Sequence, residues 1–580
     1  MPKKFTYTLK GKIETSFPSV NMKKYLLVTI IAILAAIDGI AQWDNNPAAA
    51  NTPFCTAFSE DDSLLMVSDG GNGVILAWQS IDYFAFSRDL FAQRIDVDGL
   101  PVWGTASTPK KIYSITDLNE AARLIALMED GNGGAYAAWH SYIDTFSNIF
   151  IQHLDANGNV LWGAAGIKVN HDNIKAGNIS LCKDGAGGVV VSWDERIVDN
   201  NIEQTTYAQI FAQRYSSAGA KQWNANGVQV CTAAGLRAAS NIINDAAGGF
   251  ICVFADARNS AQFAGDVFDN LDMYAQRINA NGNLLWPSDA VVVSSAALNQ
   301  LPAQGFSDTI STVADGTGGA ILLFEQYQGW AKIQNHFYAQ RINSLGSNVW
   351  PAPVPVCMAD STRSLIKVTT DGAGGMIAVW SDNRQGNAGI YTQKITANGT
   401  AAWATDGLQI TPGGNENFTG KDMAADGKGN YIFTWSAGAE VRAQKINSTG
   451  NPQWNAGGKP VCTNNASAPK LPAIVKSNGG NAIIGWADTR NGIISTDIYG
   501  AKIGTDGNLT GPSVYYITKA NGNWNAAATW TGNTVPPADA SVIVRHNVNV
   551  TADASCNALS VEKPAGKITV NTGFKLTVLQ

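Results

Sequence analysis

The stretch that decides the fold is Asp184-Gly-Ala-Gly-Gly188, followed directly by Val-Val-Val-Ser-Trp193. After a variable loop, the same unit continues as Ile210-Phe-Ala-Gln-Arg-Tyr215, then Gln222-Trp223 and Val228-Gln-Val-Cys231. Short apolar runs bounded by glycine-rich turns are typical of β-strands in tight hairpins. The unit is therefore expected to be a small antiparallel sheet.

The glycine-rich turn recurs along the chain. Its last residue is Gly73, Gly134, Gly188, Gly249, Gly319, Gly375, Asn430 and Gly480. The eight units are spaced by roughly 50 to 70 residues, which suits a repeat architecture and is too short for tandem sandwiches of about 100 residues each. Each unit holds four short β segments, and a four-stranded antiparallel meander of this length is a propeller blade. The sequence predicts an all-β fold, an eight-bladed β-propeller.

Tryptophan recurs at two positions and tests the blade count. The second strand carries Trp78, Trp139, Trp193, Phe254, Phe324, Trp380, Trp435 and Trp486, and the fourth-strand segment carries Trp103, Trp162, Trp223, Trp286, Trp350, Trp403 and Trp454. The fourth-strand set lacks its eighth member. Gln42-Trp43 followed by Cys55 matches Gln222-Trp223 followed by Cys231. The N-terminal strand is therefore expected to close the last blade, with residues 42–57 pairing with Ile498–Ile503.

Other repeated positions favour scaffold functions. The third strand carries a glutamine (Gln93, Gln152, Gln213, Gln276, Gln340, Gln393, Gln444) followed by a mostly cationic residue (Arg94, His153, Arg214, Arg277, Arg341, Lys394, Lys445, Lys502). Because they recur around the ring, we expect a carbonyl partner for the glutamine and an aspartate for the cation. The pairs Asp194/Arg196, Asp256/Arg258, Asp382/Arg384 and Asp488/Arg490 are interpreted as staples of a turn.

The cysteine count and the net charge limit which disulfides and which partners the chain can have. There are seven cysteines, an odd number, and Cys55, Cys231, Cys357 and Cys462 share one repeat position. Equivalent positions in neighbouring blades are too far apart for a disulfide, so these are interpreted as small buried apolar residues. The chain has 40 basic and 46 acidic side chains. This acidic balance opposes nucleic acid or an anionic membrane as the main partner.

The N-terminus has the pattern of a targeting signal. Met22-Lys23-Lys24 is basic, Tyr25–Ile37 is apolar, and Gly39-Ile40-Ala41 places small residues where a signal peptidase cleaves. Residues 1–41 are expected to be a leader with a signal peptide at 22–41, which predicts a secreted or outer cell-surface protein. The apolar stretch is shorter than the roughly 20 residues of a membrane span, so no transmembrane segment is expected after cleavage.

Behind the propeller, assigned to residues 42–512, the repeat stops. Residues 513–580 hold short alternating β runs, which predict a β-helix-like or β-sandwich-like module. Its end at Gln580 without a polar cap suggests a truncated chain.

The Asp-Gly-x-Gly-Gly, Trp-x-Asp-x-Arg and Ala-Gln-Arg unit resembles repeats of bacterial secreted and cell-surface propeller proteins. The tail, with Trp524, Trp530, Pro536 and Cys556, resembles the start of β-helical stalks in type IX secretion cargo, which implies export across an outer membrane.

The variable second-to-third loops are the expected ligand-binding face, because length variation on a constant scaffold is where specificity is usually found. Their aromatic residues suit sugar rings or partner side chains: Tyr83, Phe84, Phe86, Tyr142, Phe146, Tyr327 and Trp330. The same residues could instead pack the loops themselves. The first functional hypothesis is a non-catalytic binding or adhesion scaffold for a glycan or a protein.

Two further hypotheses stay open. One is a polysaccharide-acting hydrolase or lyase at the propeller mouth, where the loops carry Asp82, Asp89, Asp144, Glu195, Asp266 and Glu325, with His140 and His336 nearby. No catalytic set stands out among them. The other is a structural spacer for a further domain. No cofactor or metal is expected: Asp/Asn-rich turns could hold calcium, but no Asp-x-Asp-x-Asp loop is present.

Overall fold

The computed structural model describes most of the chain from Trp43 onward. The described residues are 43–48, 51–56, 60–82, 87–115, 120–143, 146–172, 174–199, 204–259, 271–295, 299–302, 312–328, 333–361, 363–384, 389–411, 418–463, 470–490, 496–510, 515–538, 540–556, 558–561 and 566–578. The leader at 1–41 lies outside them. Within them, no helix is both long and apolar enough to cross a lipid bilayer.

Eight antiparallel sheets form the propeller predicted from the repeat. In chain order, blades 1 to 4 comprise Glu60–Ser68, Val74–Asp82, Ser87–Ile95 and Lys110–Tyr113; Glu120–Glu129, Ala135–Ile143, Phe146–Leu154 and Ile167–Lys168; Lys175–Lys183, Val189–Asp199, Gln204–Tyr215 and Val228–Gln229; and Arg237–Asn244, Phe250–Asp256, Asp272–Ile278 and Val291–Ser294.

Blades 5 to 8 have the same order. They comprise Asn299–Pro302 with Thr312–Ala314, Ala320–Gln328, Ile333–Ile342 and Val354–Cys357; Arg363–Thr370, Met376–Asp382, Gly389–Ile395 and Leu408–Gln409; Phe418–Ala425, Tyr431–Ala437, Glu440–Ile446 and Lys459–Cys462; and Lys470–Lys476, Ala482–Asp488, Asp497–Ile503 and Thr52–Cys55. The first strand of blade 5 is in two pieces, both paired with the second strand.

The N-terminal strand closes blade 8, as the tryptophan count predicted. Thr52 pairs with Gly500 and Cys55 with Ile498 in antiparallel register. Trp43 is buried, and its Nε1 donates to the carbonyl of Val97 in blade 1 at 2.9 Å. Blade 8 thus contains strands from both ends of the propeller segment and has four strands, like the other blades.

The Asp-Gly turn is held by its aspartate. In blade 3, Asp184 Oδ1 accepts the backbone N–H groups of Ala186 and Gly188, both at 2.7 Å. Gly187 has φ +84°, where glycine is favoured. Gly188 is needed for close packing, because a Cβ there would lie 2.3 Å from the carbonyl oxygen of Tyr215. Blade 8 differs from the prediction: Gly480 has φ +88°, and Asn481 takes the last turn position, where its carbonyl oxygen accepts from Ser477 N.

The third-strand glutamine and cation have the partners that the sequence predicted. In blade 3, Gln213 Nε2 donates to Asn224 O at 2.7 Å, and Arg214 Nε donates to Asp184 Oδ2 at 2.9 Å. The glutamine Oε1 also accepts the backbone N–H of Trp223 at 3.2 Å. Blade 8 differs because Ser477 stands where the other blades have aspartate, and Lys502 Nζ donates to Val97 O instead.

The second set of tryptophans joins each blade to the next. Each indole Nε1 donates to a carbonyl in the following blade, and the pairs are Trp43–Val97, Trp103–Ala156, Trp162–Ser217, Trp223–Ala280, Trp286–Ser344, Trp350–Ala397, Trp403–Ser448 and Trp454–Thr505. The fourth strand follows this tryptophan and does not contain it, contrary to the prediction. The glutamine side chain holds the tryptophan backbone in place of a regular strand partner.

The C-terminal module consists of stacked parallel strands. Its three ladders are Tyr515–Ile517, Ser541–Val544 and Ala558–Val561; Gly522–Asn523, Asn547–Val550 and Lys567–Val570; and Ala554–Cys556 with Leu576–Val578. Parallel ladders of successive turns are the arrangement of β-helix coils and not of an antiparallel sandwich. Trp524 and Trp530 are buried in its core. The described helical turns are the 3₁₀ segments Asn478–Gly480, Ala527–Thr529 and Thr531–Asn533.

Candidate functional site between blades 2 and 3

Most of the predicted ligand-binding aromatics lie outside the described residues: Tyr83, Phe84, Phe86 and Trp330. Phe146 begins the third strand of blade 2 and Tyr327 lies near the end of the second strand of blade 5, but their side chains are not described. Tyr142 is described and 40% exposed, and its hydroxyl lies 2.7 Å from Nδ1 of the buried His140. One predicted aromatic is therefore seen at the surface, and the others stay predictions.

The carboxylates considered for catalysis are held by local partners wherever their contacts are described. Asp89 is buried and accepts from Lys111 Nζ at 2.6 Å and Ser114 Oγ at 2.9 Å. Glu325 is buried as well, and His336 Nε2 lies 3.5 Å from Asp360. Asp144 and Asp266 lie outside the described residues, as does the side chain of Asp82. No pair of these carboxylates is seen to converge in the described part of the chain.

The turn staples are confirmed in blades 4, 6 and 8, where they are part of a larger buried cluster. In blade 6, Arg384 donates to Asp382 and to Cys357 Sγ of the preceding blade, and its guanidinium lies 4.0 Å from the ring centre of Tyr391. Burial alone would raise the pKa of Asp382, but hydrogen bonds from Arg384 and Ser361 and the charge of Arg363 lower that pKa to about 2.

Blades 4 and 8 repeat this Asp–Arg cluster. The corresponding members are Asp256, Arg258, Cys231 and Tyr274 in blade 4, and Asp488, Arg490, Cys462 and Tyr499 in blade 8. In each case the arginine contacts a cysteine of the preceding blade. The three clusters therefore join blades 4, 6 and 8 to the blade before them, which is a structural function.

Blade 3 departs from this pattern. The predicted pair Asp194/Arg196 is out of register by one residue, since it is Glu195 that lies two positions after the tryptophan, as Asp382 does in blade 6. Glu195 Oε1 accepts from Trp193 Nε1 at 2.8 Å, and its Oε2 lies 2.7 Å from Nδ1 of His171, which follows the last strand of blade 2. A histidine from the preceding blade thus stands where the other clusters have an arginine.

A second departure lies on the third strand of blade 3. The last residue of that strand is aliphatic in the other seven blades: Ile95, Leu154, Ile278, Ile342, Ile395, Ile446 and Ile503. In blade 3 it is Tyr215, which is fully buried and whose hydroxyl has no hydrogen-bond partner within the described residues. Burial raises the pKa of this hydroxyl, so it stays protonated and available as a donor. An unpaired buried hydroxyl costs about 1–3 kcal/mol, which requires an explanation.

Both departures line one cavity of about 280 Å³. Its wall combines the exit of blade 2 with the second and third strands and the following turn of blade 3, through Lys168, Val169, Asn170, His171, Asp172, Trp193, Gln213, Tyr215, Lys221, Ala225, Asn226 and Gly227. We call this cavity the blade 2–3 cleft. The sequence signal for the cleft is the departure of Glu195 and Tyr215 from the repeat, whereas the repeated residues give no indication of it.

Comparison with known proteins identified structural similarity only. No protein-family model matches the chain, and no curated protein sequence is significantly similar to it. Solved structures that align include a protein of unknown function from Dyadobacter fermentans (10% identity, TM-score 0.32, 57% of this chain and 95% of that one) and the α-L-arabinofuranosidase Arb93A from Fusarium graminearum (10%, 0.32, 58% and 95%). Substrate-bound prolyl oligopeptidase B from Galerina marginata aligns over 87% of this chain and 61% of its own, with 10% identity and a TM-score of 0.39. The apo form of the same protein has a TM-score of 0.38. TM-scores this low carry no argument about function.

Proposed function

We propose that this chain is a secreted or cell-surface binding protein whose propeller holds a glycan or a protein segment in the blade 2–3 cleft. The observation that carries the proposal is the cavity itself, whose wall holds His171 and Tyr215, two residues at which blades 2 and 3 depart from the repeat. The variable loops would add contacts on the face where His171 lies.

A polysaccharide-acting enzyme is the second candidate, and one observation favours it. His171 is oriented by the buried Glu195, and a base oriented by a carboxylate is a recurring feature of proton-transfer sites. Binding is preferred because both carboxylate oxygens of Glu195 are used by protein donors. The carboxylate that lines the cleft, Asp172, is exposed and paired with Lys168, so neither group has the environment of a catalytic acid.

The test is a glycan and protein-ligand screen followed by binding measurements on cleft variants. Tyr215→Phe removes only the hydroxyl, and Tyr215→Ile installs the residue of most other blades, so the fold should tolerate both. We expect Tyr215→Ile, which changes the shape of the cleft wall, to weaken binding about fivefold or more. Tyr215→Phe removes only a hydroxyl that is closed to solvent and should leave binding unchanged. The matched control is Tyr136→Phe in blade 2, because that buried hydroxyl already donates to Gly187 O at 2.7 Å.

Two results would contradict the proposal. If Tyr215→Ile bound the ligand as tightly as the unchanged chain, the cleft would not be the binding site. If Tyr83→Ala and Trp330→Ala instead abolished binding, the variable loops would be the site, as the sequence predicted. Turnover of a bound glycan, lost in His171→Gln, would favour the enzyme.

A further inference from the structure

The fourth strand of blade 4, Val291–Ser294, is the outer edge of its sheet. It pairs with the third strand of the same blade on one side, and no strand pairs with its other side in the described part of the chain. An unpaired edge presents backbone N–H and C=O groups that can pair with a further strand. We call this strand the blade 4 edge.

The blade 4 edge lacks the residues that protect the other seven outer strands. Val292 lies opposite Tyr274, and it is a β-branched residue, 46% exposed, of the kind that strands favour. The residues in the same register of the other blades are Lys111, Lys168, Gln229, Pro355, Gln409, Pro460 and Pro53. Lysine and proline on an edge oppose pairing with a further strand, and glutamine is polar. Blade 4 therefore has the outer strand best suited to accept a partner.

The prolines of other blades indicate where the backbone N–H of Val292 points. Proline has no N–H, yet Pro355, Pro460 and Pro53 keep the same register with the third strand of their own blades. The pairing within a blade therefore does not require an N–H at this position. The N–H of Val292 is accordingly directed away from the third strand, towards the side where a further strand would lie.

More exposed apolar surface lies beside the blade 4 edge. A turn of blade 5 is fixed against it, since Asn348 Nδ2 donates to Val293 O at 3.1 Å. In this turn Leu345 is 81% exposed, and Val349 behind it is 43% exposed. The residues equivalent to Leu345 in the other blades are Asp98, Asn157, Ala218, Asn281, Asn398, Thr449 and Asp506. An exposed leucine in place of these small or polar residues is a second departure from the repeat at the same place.

The size of this surface decides between an extended segment and a second copy of the chain as the partner. A stable interface between folded proteins takes about 20–30 residues from each side. The exposed large apolar residues at and beside the blade 4 edge are Val292, Leu345, Val349 and Leu285. Adding one strand to a sheet edge requires less surface, because main-chain hydrogen bonds supply affinity and alternate side chains supply specificity. The surface therefore fits a single extended segment.

We propose that the blade 4 edge binds an extended segment of another protein by β-strand addition, at a site separate from the blade 2–3 cleft. The segment pairs with the outward backbone of Val292, and its side chains point alternately to the two faces of the sheet. Val293 packs in one cluster with Ala320 of blade 5, so Val292, one residue earlier, lies on the opposite face. The segment meets Leu345 and Val349 on the blade 5 face and Val292 on the other. Its central residues are therefore apolar on both faces and include no proline.

The experiment measures binding of a labelled synthetic peptide to the full chain by fluorescence anisotropy. The probe alternates valine and threonine and has a lysine at each end, and its control has the same side chains with alternate backbone amides methylated. We expect the probe to bind and methylation to lower its affinity about tenfold or more, because methylation removes main-chain donors. Val292→Pro, which installs the residue of blades 5, 7 and 8, should lower the affinity similarly. Val292→Lys, the residue of blades 1 and 2, is the second variant.

The matched control is Gln409→Pro, the same change in the same register of blade 6, which should leave peptide binding unchanged. Tyr215→Ile, which alters the blade 2–3 cleft, should leave it unchanged as well, so this inference and the proposed function are tested separately. The inference is wrong if the peptide does not bind, if both Val292 variants bind it as tightly as the unchanged chain, or if Gln409→Pro weakens binding equally. A dimer seen in sedimentation and abolished by Val292→Lys would instead identify a second copy as the partner.

Discussion

Lys421 is a buried lysine that has no carboxylate partner among the described residues, and replacing it should make the propeller more stable. The side chain lies in the first strand of blade 7, is 7% exposed, and donates to Ser381 Oγ of blade 6 at 2.7 Å. Five residues before the turn aspartate, several other blades carry an aliphatic residue, such as Ile125 and Ile179. The predicted change is therefore Lys421→Ile.

The magnitude follows from the pKa of Lys421. Burial, with a smaller effect from the charge of Lys367, lowers this pKa from 10.5 to about 7. At about 1.36 kcal/mol per pH unit, this shift lowers the free energy of unfolding at pH 7 by about 4 kcal/mol compared with an exposed lysine. The variant also loses the hydrogen bond to Ser381, which reduces the gain in stability by about 1 kcal/mol. Lys421→Ile should thus raise the free energy of unfolding by about 2–4 kcal/mol at pH 7.

The gain should depend on pH in a defined direction. Because the pKa of Lys421 is lower in the folded state, unfolding takes up a proton between about pH 7 and 10.5, and the unchanged chain becomes more stable as pH rises through this range. The advantage of the variant is largest near and below pH 7 and vanishes towards pH 10.5. Urea unfolding followed by tryptophan fluorescence at several pH values measures it.

The matched control is Lys445→Met. Lys445 is as buried as Lys421, but its Nζ lies 3.0 Å from the carboxylate of Asp426. Removing the ammonium group of Lys445 leaves the buried carboxylate of Asp426 without its ion-pair partner and should lower the free energy of unfolding by about 3–5 kcal/mol. A lower unfolding free energy for Lys421→Ile than for the unchanged chain, or a gain that does not fall with rising pH, would refute this reasoning.

Two further predictions concern the ring and its thiols. Trp43→Ala should lower the free energy of unfolding by about 3–5 kcal/mol, the cost of removing a buried tryptophan, and chemical denaturation measures it; a loss below about 1 kcal/mol would show that the N-terminal strand does not close the ring. All seven cysteines are described, buried and outside any disulfide, and burial raises the pKa of Cys182 and Cys252, so a thiol reagent should label the folded chain slowly and the unfolded chain at seven sites. Rapid labelling of the native chain would contradict the burial.

The propeller could be predicted from the sequence because its determinants are local and repeated. A turn that needs Asp184 and Gly188, and a tryptophan that bonds the next blade, must recur once per blade, so counting them gives the number of blades. The missing eighth tryptophan likewise identified Trp43 as part of blade 8, although its strand partner Gly500 is far away in the sequence.

The cleft could not be found in this way, for physical reasons. Counting from Trp193 gives Glu195 the position of Asp382, but His171 belongs to a different blade, and only the packing of the two blades shows that it reaches Glu195. Whether the hydroxyl of Tyr215 has a partner is decided by packing, which sequence does not contain. The aromatic residues of the variable loops stay predictions, except for Tyr142, which is exposed.

The closing strand sets the order in which the protein can finish folding on the ribosome. Thr52–Cys55 is made first, whereas its partner Asp497–Ile503 is made after seven blades. At about 5–20 residues per second, the strand waits on the order of half a minute or longer as an open edge. Pro53 has no N–H to offer a wrong partner, and prolines are common devices on such edges. The fourth strands of blades 5 and 7 carry a proline at the same position, Pro355 and Pro460, so this proline protects an outer edge both before and after the ring is complete.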